Sequence, residues 1–360
     1  CYLNLATWFS RAPYNSLTGA SRWNEPCVPV YTTGTSIDTG GQPRESLRTV
    51  YGRIDQDIDR AIELLEKARE TTLAENNKSH INLYVALGIK SRACLAEGDW
   101  DGAFKAAKRV IDEGGYAVGT KSDLTGGMNS LDKQNVMWGA GIQVADQAGG
   151  YAGFFTHMDN KEGAYAKSAP KLISKQLYNR ISATDIRRDW WDPSDKESPY
   201  VSKKFSFANV ASFLGDYIYM RVEEMYFTAA EAALRLDDLK SARELMNTVM
   251  AERDPGYSAN NRSGTLLGAT TTTWTGSFLE NILTHRRIEL WGEYGRLFDV
   301  RRLGQGIDRR TDDGFSEECI SMMNRRNVNI TKADTYDWVL TIPKAELDAN
   351  PNINEEDQNP

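Results

Sequence analysis

Apolar residues recur at helical spacing over much of the chain. Between Glu45 and Lys67, residues Leu47, Val50, Tyr51, Ile54, Ile58, Ala61, Ile62 and Leu65 fall on one face, which predicts a long amphipathic helix. Two helix pairs follow from the same spacing. One joins His80–Glu97 to Asp99–Glu113 through Gly98-Asp99; the other joins Tyr217–Leu236 to Asp238–Arg253. A further helix is predicted from Asn281 to Arg302, with Leu283, Leu290, Tyr294 and Leu297 as its apolar stripe. Ser277 and Glu280 have the spacing of a capping box, and Gly304 marks the stop. Trp8, Trp100, Trp138 and Trp291 read as core positions.

The two pairs repeat one another. Ala93, Gly98, Trp100 and Ala103 align with Ala232, Asp237, Leu239 and Ala242 at a constant offset of 139 residues. This pattern, with Leu87-Gly88, resembles the tetratricopeptide helix–turn–helix, in which small residues let helices approach closely. Such units stack into scaffolds that act by presenting surface. The predicted fold is mainly α: a tetratricopeptide-like helical-repeat scaffold with an irregular, loop-rich second lobe. The expected division is a helical part over 1–113, a loop-rich lobe over 114–216 with a few short strands, and a helical part over 217–360 with loop insertions at 255–276 and 305–338. Val136–Trp138 and Gly141–Val144 are the strand candidates.

Charge patterning singles out the segment 281–302. As one helix, it places Glu289, Glu293 and Arg296 on a shared face, with Arg286 three residues before Glu289 and Asp299 three after Arg296. Two carboxylates at i, i+4 invite comparison with a glycosidase pair. The neighbouring arginines argue against it, because opposite charge lowers a carboxyl pKa whereas a general acid needs one raised. An ion-pair network is the better reading, and Arg221 and Glu224 belong to the same class.

Composition narrows the remaining options. The net charge of −7 lacks the basic stripe that a nucleic-acid partner requires. The three histidines share no metal-ligand spacing, and Asp189, Asp192 and Asp195 lack the pattern of a calcium loop, so no metal site and no cofactor is expected. No nucleophile elbow, P-loop or dinucleotide fingerprint occurs, and no catalytic residue is assigned. None of the four cysteines forms a Cys-x-x-Cys pair, and nothing favours a Cys27–Cys319 bridge. Cys94 reads as a small buried apolar residue.

Three ordered segments resemble the SusD-like (RagB/SusD) family of outer-membrane nutrient-binding lipoproteins. The family pattern Arg-Arg-x-Glu-x-x-x-Glu-Gly-x-Arg-x-x-Asp maps onto Arg286, Arg287, Glu289, Glu293, Arg296 and Asp299, with Tyr294 in place of the glycine and Gly295 one position later. Arg221, Glu224 and Ala230-Glu231-Ala232 match a second segment. The closing Ile342-Pro343, Glu346-Leu347, Asn350-Pro351 and Gln358-Asn359-Pro360 match a third. Asp185 and Arg187 fit the family's Asp-x-Arg loop. Tyr2, Leu5, Phe9 and Pro13 resemble a segment that lies inside relatives, so Cys1 is not read as the acylated cysteine. The lipid anchor is expected upstream of this chain.

The resemblance implies a non-catalytic, surface-exposed outer-membrane lipoprotein that hands oligosaccharide to a SusC-like TonB-dependent transporter. The alternatives are a peptide-binding RagB-like component and a glycoside hydrolase. Sugars present flat C–H faces that aromatic rings match. The irregular segments supply Trp190, Trp191, Tyr151, Phe154, Phe155 and Trp274 as candidate platforms, with Asp192 and Asn160 as polar partners. The competing role for each ring is packing the core of the second lobe.

Overall fold

The computed structural model describes residues 1–360 except 17, 37, 70–76, 145–151, 269–273 and 308–335. Tyr151 and Cys319, and with Cys319 any Cys27–Cys319 bridge, lie outside the described residues. Helices dominate. The long apolar face from Leu47 forms α2 (Leu47–Arg69), against which α1 (Tyr2–Phe9) packs through Leu3 and Ala6. Trp8, expected in the core, is 43% exposed, because α1 buries only its opposite face.

The first helix pair is α3 (Leu83–Glu97) and α4 (Trp100–Glu113). The short helix α5 spans Lys121–Thr125, and the strand β1 spans Val136–Ala140. The loop-rich lobe carries α6 (Phe154–Met158), α7 (Ala164–Ser168), α8 (Lys175–Tyr178), β2 (Trp191–Asp192) and β3 (Val201–Ser202). The second pair follows β4 (Tyr217–Arg221) as α9 (Val222–Arg235) and α10 (Leu239–Ala251). Then come α11 (Phe278–Glu289), α12 (Arg296–Arg302) and α13 (Lys344–Ala349).

The repeat offset is visible in backbone geometry. Gly98 and Asp237 both turn through the left-handed region, at φ +76° and +63°. The next residues cap the second helices: Asp99 accepts from Gly102 N and Asp238 from Ser241 N, each at 3.0 Å. Ala93, Ala103, Ala232 and Ala242 are fully enclosed, so their small side chains set the close approach within each pair. Because α4 packs on α9 and α9 on α10 and α11, the two distant units share one apolar core.

Opposite outcomes are expected at the equivalent turns. Gly98→Ala destabilises, since a Cβ there meets the Tyr14 ring at 2.6 Å in a backbone region that disfavours it. Asp237→Gly stabilises by up to about 1 kcal/mol, relieving a left-handed cost of about 1–2 kcal/mol that the glycine's unfolded-state entropy partly offsets. Urea melts of both variants measure this, and shifts of the same sign would refute it.

Three predicted elements differ from the structure. Tyr217–Arg221 is not the first turn of a helix but β4, antiparallel to β1 with irregular register between Val136 and Gly139. Its alternation of outward tyrosines with Met220 inward suits a half-buried strand. Gly141–Val144 is not a strand; only the Val136 candidate pairs. The predicted 281–302 helix is two helices. It breaks after Glu289, where Gly292 (φ +74°) and Gly295 (φ +119°) take conformations that side chains resist. Glu289, Glu293 and Arg296 therefore do not share one helical face. Ser277 does cap α11, accepting from Glu280 N at 3.1 Å, while the Glu280 carboxylate turns back to Gly276 N and Thr275 N.

Candidate functional site

Breaking that helix lets both glutamates reach one arginine. Arg221, where β4 meets α9, donates to Glu293 through Nε and Nη2, each at 2.8 Å, and to Glu289 through Nη1 at 3.0 Å. Arg253 binds Glu289 at 2.9 and 3.0 Å and Glu223 at 2.8 Å. Arg187, held by Asp185 at 2.6 Å, adds a fourth contact to Glu289 at 3.2 Å. A second group links Arg92 to Glu224, Arg286 to Asp299, and Arg302 to both Glu231 and Asp299. Burial pushes the Glu289 carboxyl up, but Arg253, Arg221 and Arg187 more than reverse this and hold it well below its ordinary range. Glu293 is also lowered: burial raises it, and Arg221 with Lys204 outweighs that. Neither carboxyl suits a general acid, which needs a raised value.

The turn between α11 and α12 forms one wall of a cleft of about 500 Å3. Lys204 fixes this wall, donating to the carbonyls of Glu289 and Trp291 at 2.7 and 2.9 Å and to Glu293 Oε1 at 2.5 Å. Gly292 lies against Phe205, and a Cβ there would meet the ring at 2.5 Å. The facing wall is the β1–β4 pair, where Trp138 and Tyr219 meet edge to face at 5.1 Å. Phe154 and Phe205, 5.3 Å apart, and Tyr217 close the lobe side. Tyr294 completes the lining beneath the Arg92 guanidinium, which stands 4.1 Å over its ring. The cleft is aromatic with two charged groups, Arg92 and Glu293, and both are already engaged by partners behind the wall.

Of the described residues singled out for ligand stacking, only Phe154 lines this cleft. Trp190, Trp191 and Phe155 are enclosed at 3%, 1% and 2% exposure. They belong to the lobe's core, which has no long helices to supply one; Trp190 Nε1 is spent on the Leu124 carbonyl. Asn160 uses its amide internally, accepting from Lys171 N and donating to Ser202 O. Asp192 closes a turn through Ser194. The half-buried Trp274 stacks under Arg180, 3.7 Å from its ring centre, away from the cleft lining. Trp138, expected in the core, is instead a cleft residue, as are Tyr217, Tyr219 and Tyr294. A period-two reading of Tyr217-Ile218-Tyr219 would have shown the two tyrosines on one face of a strand.

Among the described residues, no group of three or more His, Cys, Asp or Glu is placed to hold a metal ion, and no helix is long and apolar enough to cross a membrane. No curated protein matches the chain in sequence. Solved structures match its whole length. A SusD-like carbohydrate-binding protein from Bacteroides vulgatus is 25% identical with a TM-score of 0.76, over 99% of this chain and 74% of that one. A SusD superfamily protein from Bacteroides thetaiotaomicron is 22% identical with a TM-score of 0.75, over 100% and 75%. Surface glycan-binding protein A from Bacteroides uniformis shares the fold at 18% identity and a TM-score of 0.62, over 99% and 75%. The profile of the SusD family matches residues 158–360, which hold the paired glutamates, their arginines and the closing tail. By this match over more than half of its length, the chain belongs to the SusD family.

Proposed function

We propose that the protein is a non-catalytic glycan-binding component of a nutrient-uptake system. It captures oligosaccharide at the outer-membrane surface as a lipoprotein and delivers it to a SusC-like TonB-dependent transporter. The observation that carries the ligand class is the cleft itself. Six aromatic rings converge there, and its two charged groups are neutralised from behind. Rings offer apolar platforms to the C–H faces of pyranoses, while the Tyr217, Tyr219 and Tyr294 hydroxyls serve the sugar hydroxyls. A peptide would call for a free strand edge and small pockets instead.

Two structural neighbours support the glycan reading: one at 25% identity is a carbohydrate-binding protein, another a surface glycan-binding protein. Calorimetry against a panel of oligosaccharides and a peptide pool tests it, with Tyr219→Ala as the discriminating variant. Tyr219 is 41% exposed, so its loss leaves the fold intact. The variant is expected to bind glycan at least about tenfold more weakly, roughly 1.5–3 kcal/mol. Binding of peptides alone, or glycan binding that Tyr219→Ala leaves unchanged, would count against this assignment. Co-purification with a membrane transporter tests the partner separately.

A further inference from the structure

The polar groups lining the cleft fall into two sets. One is neutral and open. Among the described residues nothing hydrogen-bonds the Asn4 carboxamide, the Trp138 indole N–H or the Tyr219 and Tyr294 hydroxyls. The Tyr217 hydroxyl accepts from Phe154 N at 3.4 Å and keeps its own proton to give. Amide, indole and phenol supply donors and acceptors without charge near neutral pH.

The other set is the ion pair of the lining, Arg92 and Glu293, and both are engaged. Glu224 takes the Arg92 guanidinium through its two oxygens, from Nε at 2.8 Å and Nη2 at 2.6 Å. Arg221 and Lys204 bind Glu293 from behind the wall. Lys204 has no further proton to offer, since its other two go to the carbonyls of Glu289 and Trp291. Arg221 is shared with Glu289 and Glu223. Burial raises the Glu293 carboxyl, but Arg221 and Lys204 outweigh this and hold it below its ordinary range, so it stays an anion.

This division limits what a bound glycan can carry. Sugar hydroxyls are served by neutral donors and acceptors. A uronate carboxylate or a sulfate enclosed among rings needs a cation to itself. Among the described residues, Arg92 is the one cation of the lining. An anion brought to it would stand beside the Glu224 carboxylate, with Glu293 in the same lining. The chain's net charge of −7 adds repulsion at longer range. Building on the glycan reading, we propose that the cleft selects uncharged sugars: it takes neutral pyranose units and rejects the corresponding uronates and sulfated sugars.

The test is calorimetry on the whole chain at neutral pH with matched pairs of sugar chains. Maltohexaose, cellohexaose, mannohexaose and galactohexaose are each compared with the same chain oxidised at C6 to the uronate. Oligogalacturonide is compared with its carboxyl-reduced form. At least one neutral chain is expected to bind, at least about tenfold more tightly than its charged partner. Its affinity is expected to be the same at low and high salt, as no ligand charge is involved. Asn4→Lys places a cation at an exposed cleft position where the native side chain holds no hydrogen bond. It is expected to bring the charged chain to within about threefold of the neutral one. Charged chains that bind the wild type as tightly as neutral ones, or more tightly, overturn the proposal and leave the glycan reading standing. So does an Asn4→Lys protein with no gain for the charged chain, which would show that charge is not what discriminates. Binding of no sugar chain in either form removes the glycan reading, and this inference with it.

Discussion

Glu289→Gln is expected to lower the stability of the protein by about 3–5 kcal/mol, the cost of breaking a buried ion pair on one side only. The side chain is fully enclosed, and its two oxygens accept from Arg187, Arg221 and Arg253. Glutamine keeps the shape but offers one acceptor oxygen and removes the charge that balances three guanidiniums. The same reasoning sets the pH dependence. The folded-state pKa values of Glu289, Glu293, Glu231 and Asp299 all lie below their ordinary values. Groups depressed by folding contribute stability that is fully present above the unfolded pKa, about 4.5 for glutamate. It is lost as pH falls through the lower folded values. Acid unfolding therefore begins below about pH 4, and Glu289→Gln shows a shallower dependence there. Urea denaturation at pH 7 and over pH 2–5 measures both. A loss under about 1 kcal/mol at pH 7 would show that the cluster does not hold α11 to β4 and α10.

Trp191→Ala is expected to cost a similar amount, about 3–5 kcal/mol, with little direct effect on ligand affinity. The ring is 1% exposed and meets Trp190 and Trp291 edge to face at 5.8 and 5.7 Å. In a lobe built on short helices and two-residue strands, it is a large share of the apolar core. The cavity left by its removal collapses only partly. Thermal melts with calorimetry on the folded variant separate stability from binding. Abolished glycan binding at an unchanged melting temperature would return Trp191 to the role of a sugar platform. Trp191 thus differs from Tyr219: one ring holds the lobe together, and the other lines the cleft proposed to take the ligand.

Local sequence was sufficient wherever neighbours in the chain settle the geometry. Asp99 and Asp238 cap their helices because each lies three residues before the N–H it accepts from. The apolar face from Leu47 and the small residues of the repeat place α2, α3, α4, α9 and α10 in the same way. The charge pattern around Glu289 also reads as structural from sequence, since its meaning rests on the number of arginines nearby, and three of them bind it.

The site was harder to read for a physical reason. Aromatic residues carry the same apolar signal whether they fill a core or line a cleft. Trp191 and Trp138 are indistinguishable by type, and Trp190-Trp191 looked more exposed because it lies in a charged, irregular stretch. Their roles follow from which layers close over them. Phe207 and Trp291 join the tryptophans in the lobe's core, while Trp138 and Tyr219 face the cleft at its boundary with the helices.

By itself, then, the chain specified its helix pairs, caps, repeat and family motifs, all of which depend on contacts a few residues apart. Long-range packing decided where α11 ends, that Tyr217–Arg221 is a strand, and which rings remain open. The break at Gly292 relies on Phe205 lying nearby, and the strand on Val136–Ala140 arriving to pair. Partners so distant in sequence leave no periodic signature, so only the assembled structure locates the cleft.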